Sequence, residues 1–203
     1  MKIICIGRNY AEHATELGNK VPGEPVFFVK SDNAVLRPGY DFYYPDFSHD
    51  IHYELEFFVR FHQMGKNIQA RFAHKYYDQW GLGIDFTARD LQKTLKEKGL
   101  PWEKAKSFDM SAAISSLRPI SELEDIQNLP FGLLKNGIEV QNGNTKDMLF
   151  PVNELIAYVS RFMTIKKGDL LFTGTPAGVG GVKKGDRLEA FSVGKKMLDL
   201  RIR

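Results

Sequence analysis

Glu54 and Glu56 stand two residues apart in the run Ile51-His52-Tyr53-Glu54-Leu55-Glu56-Phe57-Phe58-Val59. The run alternates as a β-strand does, with Tyr53, Leu55, Phe57 and Val59 on one face and His52, Glu54 and Glu56 on the other. At a rise of about 3.3 Å per residue the two carboxylates lie about 6.5–7 Å apart at the backbone, so their side chains can lean onto one cation. The same alternation also describes a half-buried strand with a solvated polar face. Asp85 ends a second apolar strand, residues 80–86, just before a helix. There it suits either an N-terminal cap or a third acidic ligand.

Other pairs sit at chemically useful spacings. His13 and Glu16 are three apart on a short helix and therefore neighbours on its surface. They form either a surface ion pair or a base with its orienting carboxylate on a mobile lid, residues 9–18. Arg89 and Gln92 share a helix face by the same spacing. Lys104 and Lys106 read as solvated lysines or as an electrostatic clamp. The run Gly174-Thr175-Pro176-Ala177-Gly178-Val179-Gly180-Gly181 lacks the Gly-Lys-Ser/Thr ending of a phosphate loop, and no helix follows it to make a dinucleotide fingerprint. It offers a plain tight turn, or exposed N–H groups and a hydroxyl to an anionic ligand.

The elements that must position these groups are mostly strands. Residues 2–6 and 26–30 read as strands and residues 69–77 as a short helix. Asn9, with Glu12 three residues on, predicts a helix over residues 10–17 that Gly18 ends. Two glycines inside the 80–86 strand signal close backbone approach. A helix is expected from residue 87 to 98, closed by Gly99. Asn136-Gly137 between 131–135 and 138–141 is a hairpin signal. Residues 151–163 form an amphipathic helix with Val152, Leu155, Ile156, Val159 and Phe162 as its stripe. Residues 187–193 and 196–202 close the chain as another hairpin.

Bulk properties fit this picture. A chain of 203 residues with 43% hydrophobic and 26% charged residues suits one domain, residues 1–203, with a sizeable core. The net charge of +3 is scattered and gives no nucleic-acid footprint. No stretch approaches the ~20 apolar residues of a membrane span. Cys5 is the only cysteine and lies in an apolar run, so it is expected to be a buried thiol in a protein of the reducing cytoplasm. There is no Gly-x-Ser-x-Gly elbow, no zinc-ligand spacing and no EF-hand loop.

Five motifs in order resemble the fumarylacetoacetate hydrolase superfamily. They are Gly7-Arg8-Asn9-Tyr10 with His13; His52-x-Glu54-Leu55-Glu56; Asp85-x-Thr87-Ala88-Arg89-Asp90-x-Gln92; Gly99-Leu100-Pro101-Trp102 with Lys106-Ser107-Phe108; and Gly168-Asp169 followed by Gly174-Thr175-Pro176-x-Gly178-Val179-Gly180. The chain looks like the short, single-domain acylpyruvase type. The resemblance implies a β-dominated α+β fold, with curled mixed sheets forming a partly open roll or barrel and a few peripheral helices. It implies that Glu54, Glu56 and Asp85 hold a divalent cation, Mg²⁺ foremost, with Mn²⁺ or Ca²⁺ as substitutes. His13 and Glu16 would be the lid dyad and Lys106 the active-site lysine, with Arg8, Arg89, Gln92 and Thr175 meeting the substrate. A homodimer is implied as well. Ile84 stands before Asp85 where many members carry Asn.

The activity implied is hydrolysis of the C–C bond of acylpyruvates or other β-diketo acids, of acylpyruvase or fumarylpyruvate hydrolase type, with decarboxylation of oxaloacetate beside it. The alternative within the family is an isomerase or decarboxylase acting on a 2-hydroxyhepta-2,4-diene-1,7-dioate in aromatic catabolism. A third reading, a β-rich binding module with a structural cation, leaves the His–Glu pair and Lys106 unexplained.

Overall fold

The computed structural model describes residues 1–16, 18 and 21–203. The chain runs β1 (Ile3–Gly7), α1 (Ala11–Glu16), β2 (Val26–Lys30), β3 (Val35–Leu36), β4 (Ile51–Tyr53), β5 (Leu55–Phe61) and α2 (Ala70–Ala73). It continues through β6 (Tyr77–Asp85), β7 (Thr87–Ala88), α3 (Arg89–Glu97), α4 (Glu103–Lys106), β8 (Ala112–Ile114) and β9 (Arg118–Pro119). The C-terminal part holds β10 (Pro130–Lys135), β11 (Ile138–Asn144), α5 (Val152–Phe162), β12 (Leu170–Phe172), β13 (Gly180–Gly181), β14 (Arg187–Ser192) and β15 (Lys195–Arg201). The fold is a β-dominated α+β fold, as the sequence implies.

The main sheet is mixed and curled, in the order β2-β1-β12-β5-β6-β8-β3, with β9 joined to β6. β1 runs parallel to β12, with Ile3 opposite Leu170 and Cys5 opposite Phe172. Its two faces are both dry. Ile4 and Ile6 of β1 and Leu55, Phe57 and Val59 of β5 face the larger core, against Val152, Leu155, Ile156 and Val159 of α5. Ile3, Cys5, Phe58 and Phe172 point to the opposite side and form a smaller cluster. Strand alternation puts Glu56 and Asp85 on this second side. A sheet of β11-β10-β14-β15 and a small one of β13-β4-β7 complete the architecture. Asn136 and Gly137 join β10 to β11 with φ of 53° and 81°, the pair of positive values that a type I′ hairpin turn requires.

Several expectations are corrected. The strand over residues 51–59 is broken at Glu54: β4 belongs to the small sheet and β5 to the main one. The break arises because Leu55 N–H donates to the Gln141 side chain at 2.8 Å and so leaves the strand ladder. Its polar face is not solvated, for Glu54 and Glu56 are 5% and 2% exposed. The helix expected from residue 87 starts at Arg89, because Thr87 and Ala88 pair with β4 as β7. Asp85 is therefore a strand residue and no cap. The helix over residues 69–77 shrinks to α2, since Tyr77 opens β6. Phe162 leaves the apolar stripe of α5 and is 57% exposed.

α1 covers residues 11–16, and Leu17, the expected last residue of that helix, lies outside the described residues. Asn9 does not cap it. Its carboxamide is spent on bringing two loops together: Oδ1 accepts from Phe150 N–H at 2.8 Å, and Nδ2 donates to Thr173 O at 2.8 Å and to Phe150 O at 3.1 Å. Removing a partner of buried backbone groups costs about 1–3 kcal/mol for each group left unmet. Asn9→Ala is thus expected to lose about 3 kcal/mol of stability. Urea unfolding that shows a loss below about 1 kcal/mol would place the tether elsewhere.

Candidate active site

Sheet register assembles the acids. Leu55 pairs with Ile84 and Glu56 with Gly83, which places Glu54 across from Asp85. Asp85 N–H donates to Glu54 O at 2.8 Å and fixes that step. Gly83, facing Glu56, has no side chain, and the ring of Phe172 lies over it; at Gly81 a Cβ would meet Phe58 Cζ at 2.6 Å. The two glycines therefore mark the close approach their presence in a strand suggests. Oxygens of Glu54, Glu56 and Asp85 all lie within 4.8 Å of one another.

Cations brought by other elements meet this cluster. Lys106, at the end of α4, donates to Glu54 Oε2 at 2.7 Å and to Asp85 Oδ2 at 2.8 Å. Arg89, first residue of α3, holds Glu54 Oε1 at 2.5 Å and donates to Gln92 Oε1 at 2.6 Å. Lys30, last residue of β2, is fully buried. Its ammonium bonds to Ser111 O at 2.8 Å, Ser111 Oγ at 3.0 Å and Phe86 O at 3.2 Å, and it lies 2.7 Å from Asp85 Oδ1. Asp85 Oδ1 is the closest of these contacts, so Lys30 neutralises that oxygen. Sequence reasoning missed Lys30; the available signal was its parity with Phe28 on an apolar strand. Lys104, the other lysine of the expected clamp, is exposed.

The three acids are not equivalent. Burial opposes ionisation at Glu54, but the charges on Lys106 and Arg89 outweigh it and hold its carboxyl well below the usual range. Burial pushes Glu56 up, and the charges on Asp85 and Glu54 push it further. Among the described residues no cation pairs with Glu56, whose one bond is Gly174 N–H donating to Oε2 at 2.7 Å. Burial works against the Lys106 ammonium, yet Asp85 and Glu54 raise it above an ordinary lysine. Cys5 lies behind the cluster as a buried thiol, pushed up by burial and then by Asp85. The site thus carries one carboxylate, Glu56, with no cation paired to it among the described residues, and an all-oxygen donor set. Those features fit a hard divalent cation.

α1 closes over the cluster. His13 is 5% exposed, and its Nδ1 lies 3.2 Å from Glu16 Oε2. Glu16 in turn accepts Gly178 N–H at 3.1 Å, so the helix is latched to the glycine-rich loop. N–H groups of that loop expected to await an anion are thus taken by the protein's own carboxylates, Glu56 at Gly174 and Glu16 at Gly178. Thr175 Oγ1 accepts from Gln141 Nε2 at 2.8 Å, which leaves the hydroxyl proton to donate. Arg8, His13, Glu54, Glu56, Asp85, Arg89, Gln92, Lys106 and Thr175 all line one cavity, together with apolar Val26, Phe28 and Trp102. Glu16 joins them through His13. The cavity is about 50 Å³, room for a few waters.

Three comparisons bear on this constellation. Residues 2–198 match the family model described as fumarylacetoacetate (FAA) hydrolase C-terminal. Over 189 residues, 93% of this chain and 85% of the relative, the sequence is 42% identical to an Arabidopsis thaliana protein named oxaloacetate tautomerase FAHD1, mitochondrial. A Dictyostelium discoideum protein named oxaloacetate decarboxylase, mitochondrial, is 42% identical over 185 residues, 91% of this chain and 85% of its own. The crystal structure of fumarylpyruvate hydrolase from Pseudomonas aeruginosa in complex with Mn²⁺ and pyruvate matches with a TM-score of 0.95 at 35% identity. That match covers all of this chain and 89% of the other.

The charge arrangement makes cation binding pH-dependent with a known sign. A carboxyl raised by folding, as Glu56 is, contributes stability below its unfolded value and loses it as pH rises through its folded value. Glu54, held low, does the reverse and matters only in acid. Above the ordinary carboxylate range Glu56 governs, and a divalent cation would relieve its repulsion. A cation at 100 times its Kd adds about 2.7 kcal/mol, roughly 5–10 °C in melting temperature for a chain of this size. Mg²⁺ or Mn²⁺ is expected to give that shift at pH 8 and a smaller one at pH 5.5. Glu56→Gln is expected to abolish the shift and to be more stable than the unmodified protein at pH 8 without cation. A shift that is the same at both pH values would refute the assignment to Glu56.

Proposed function

Because the chain belongs to the fumarylacetoacetate hydrolase family, we propose that it is a divalent-cation enzyme acting on small 2-oxo acids with a second carbonyl β to the first. It cleaves the C–C bond of acylpyruvates and decarboxylates oxaloacetate. The observation that carries this reading is one partly open cavity shared by the acidic cluster, the Lys106 ammonium and His13, which Glu16 holds from behind. Glu54, Glu56 and Asp85 would hold the cation, with Mg²⁺ the best match to their hard oxygens and Mn²⁺ or Ca²⁺ as substitutes. When bound, it supplies Lewis acidity where negative charge develops on the 2-oxo oxygen.

The chain's own residues do the rest. Glu16 holds His13 through Nδ1 and leaves Nε2 toward the cavity. In hydrolysis His13 takes a proton from water while the water oxygen attacks the distal carbonyl. The bond between that carbonyl carbon and C3 breaks, its electron pair passes to C3 and the 2-oxo group, and pyruvate leaves as its enol form after protonation. Lys106 stays an ammonium, so it acts by charge and hydrogen bonding and not as a base. Thr175, Arg89 and Gln92 orient the substrate's oxygens. Movement of α1, which carries His13, would admit the keto acid and then exclude water from it.

A second reading is tautomerisation of oxaloacetate, which moves a proton between carbon and oxygen and consumes no water. The name of the Arabidopsis thaliana relative supports it. The reading extends to a homodimer, since Tyr40, Tyr43 and Phe47 are 65%, 69% and 52% exposed within a few residues of one another. It also extends to the cytoplasm, because the one cysteine is buried and free. No helix among the described residues is long and apolar enough to cross a membrane.

Turnover of acetylpyruvate, fumarylpyruvate and oxaloacetate with added Mg²⁺ or Mn²⁺ tests the proposal. Glu54→Ala and Asp85→Ala are expected to abolish all metal-dependent turnover. His13→Ala should slow acylpyruvate hydrolysis by about 10²–10⁴, the usual share of a general base, while decarboxylation falls far less. Equal losses in the two assays would remove His13 from the base role.

A further inference from the structure

Four cations line the active cavity: Arg8, Arg89, Lys96 and Lys106. Two are spent. Lys106 is held by Glu54 and Asp85, and Arg89 by Glu54 and Gln92. Among the described residues neither Arg8 nor Lys96 has an ion pair, and neither side chain makes a hydrogen bond. Arg8 sits in the turn between β1 and α1 with φ of 60°, a left-handed conformation that is unfavourable for a long side chain. Lys96 lies on α3 seven residues after Arg89 and four after Gln92, so all three share the helix face turned to the cavity. Burial lowers the Lys96 ammonium below an ordinary lysine, and the positive charges of Arg8 and then Arg89 lower it further. Two unpartnered cations close enough to repel one another, in a concave site, suit an anionic group between them.

Resting on the function proposed above, we propose that Arg8 and Lys96 form the subsite for a second carboxylate at the far end of the substrate, so that the site selects 2-oxo dicarboxylates over 2-oxo monocarboxylates. The lining supplies groups for both ends. The acidic cluster would take the 2-oxo acid end. Val26, Phe28 and Trp102 provide an apolar wall for the carbon chain between. Arg8 and Lys96 complete the lining beside the lid helix and α3. A carboxylate bound there would cancel the repulsion that Lys96 now carries, and it would tie the β1–α1 turn to α3. These are specificity-determining residues, distinct from the groups that handle the proton and the enolate.

The test compares 2-oxoglutarate with 2-oxopentanoate, two five-carbon 2-oxo acids that differ by the distal carboxylate and have no β-carbonyl to cleave. Calorimetric titration of the Mg²⁺-loaded full chain is expected to show at least tenfold tighter binding of the diacid. Lys96→Gln and Arg8→Asn, the latter chosen because Asn tolerates a positive φ, should each reduce that preference threefold or more, and Lys96→Arg should keep it. Equal affinity for the two acids, no binding of either, or a preference that survives both substitutions would overturn the proposal. Because binding is read without turnover, failure to process acylpyruvates or oxaloacetate would count against the proposed reaction and not against this subsite.

Discussion

Three carboxylates packed together in a dry sheet are costly, and the rest of the site exists to make that cost tolerable. Glu54 is neutralised on both oxygens by Lys106 and Arg89. Asp85 is neutralised by Lys106 and the fully buried Lys30. Glu56 alone is left with a backbone N–H. An ion pair buried this deeply repays its desolvation only when its remaining hydrogen-bonding capacity is met. Ser111 and the Phe86 carbonyl meet it for Lys30, and Gln92 helps meet it for Arg89. The deficit at Glu56 is therefore the site's specific demand for an external positive charge.

Charge alone does not explain the positioning. The chain changes sheets at Glu54, where Gln141 takes the Leu55 N–H out of the strand ladder. Gln141 also holds Thr175 and the Pro176 carbonyl. One buried carboxamide thus fixes the strand carrying the acids relative to the loop that carries Thr175 and that holds Glu16 of α1. The polar groups of the site are joined through backbone and amide bonds as well as through ion pairs, which keeps their spacing independent of solvent screening.

Much of this was legible in the sequence for physical reasons that can be named. Glu54 and Glu56 share a strand face because side chains alternate, and His13 meets Glu16 because residues three apart are helical neighbours. Asn136-Gly137 gives its hairpin because only such residues take two positive φ values cheaply. The failures are tertiary. Asn9 reads as a helix cap, yet its carboxamide finds Phe150 and Thr173, more than 140 residues away. A polar strand face reads as solvated, whereas α1, α3 and α4 cover it. Thr87 and Ala88 read as a helix start, but pairing with β4 outweighs local propensity. Lys30 shares the parity of Phe28, but a lone lysine ending an apolar strand does not name its partners, and Asp85 and Ser111 lie far along the chain.

The parallel pairing of β1 with β12 has a consequence for biosynthesis. Ile3 and Leu170 are strand partners, and Lys2 and Asp169 form an ion pair beside them. The first strand emerges from the ribosome without its central neighbour and waits for most of the chain before its edge is covered. Such long-range pairings close large loops and slow folding. Neither the Gly174 bond to Glu56 nor the Gly178 bond to Glu16 can form until that loop has been translated, so a nascent chain stalled short of it leaves both carboxylates without these partners. The design also exposes an apolar strand, Ile3-Ile4-Cys5-Ile6, during synthesis, and its early pairing with β2 as an antiparallel hairpin partner is what shields one edge meanwhile.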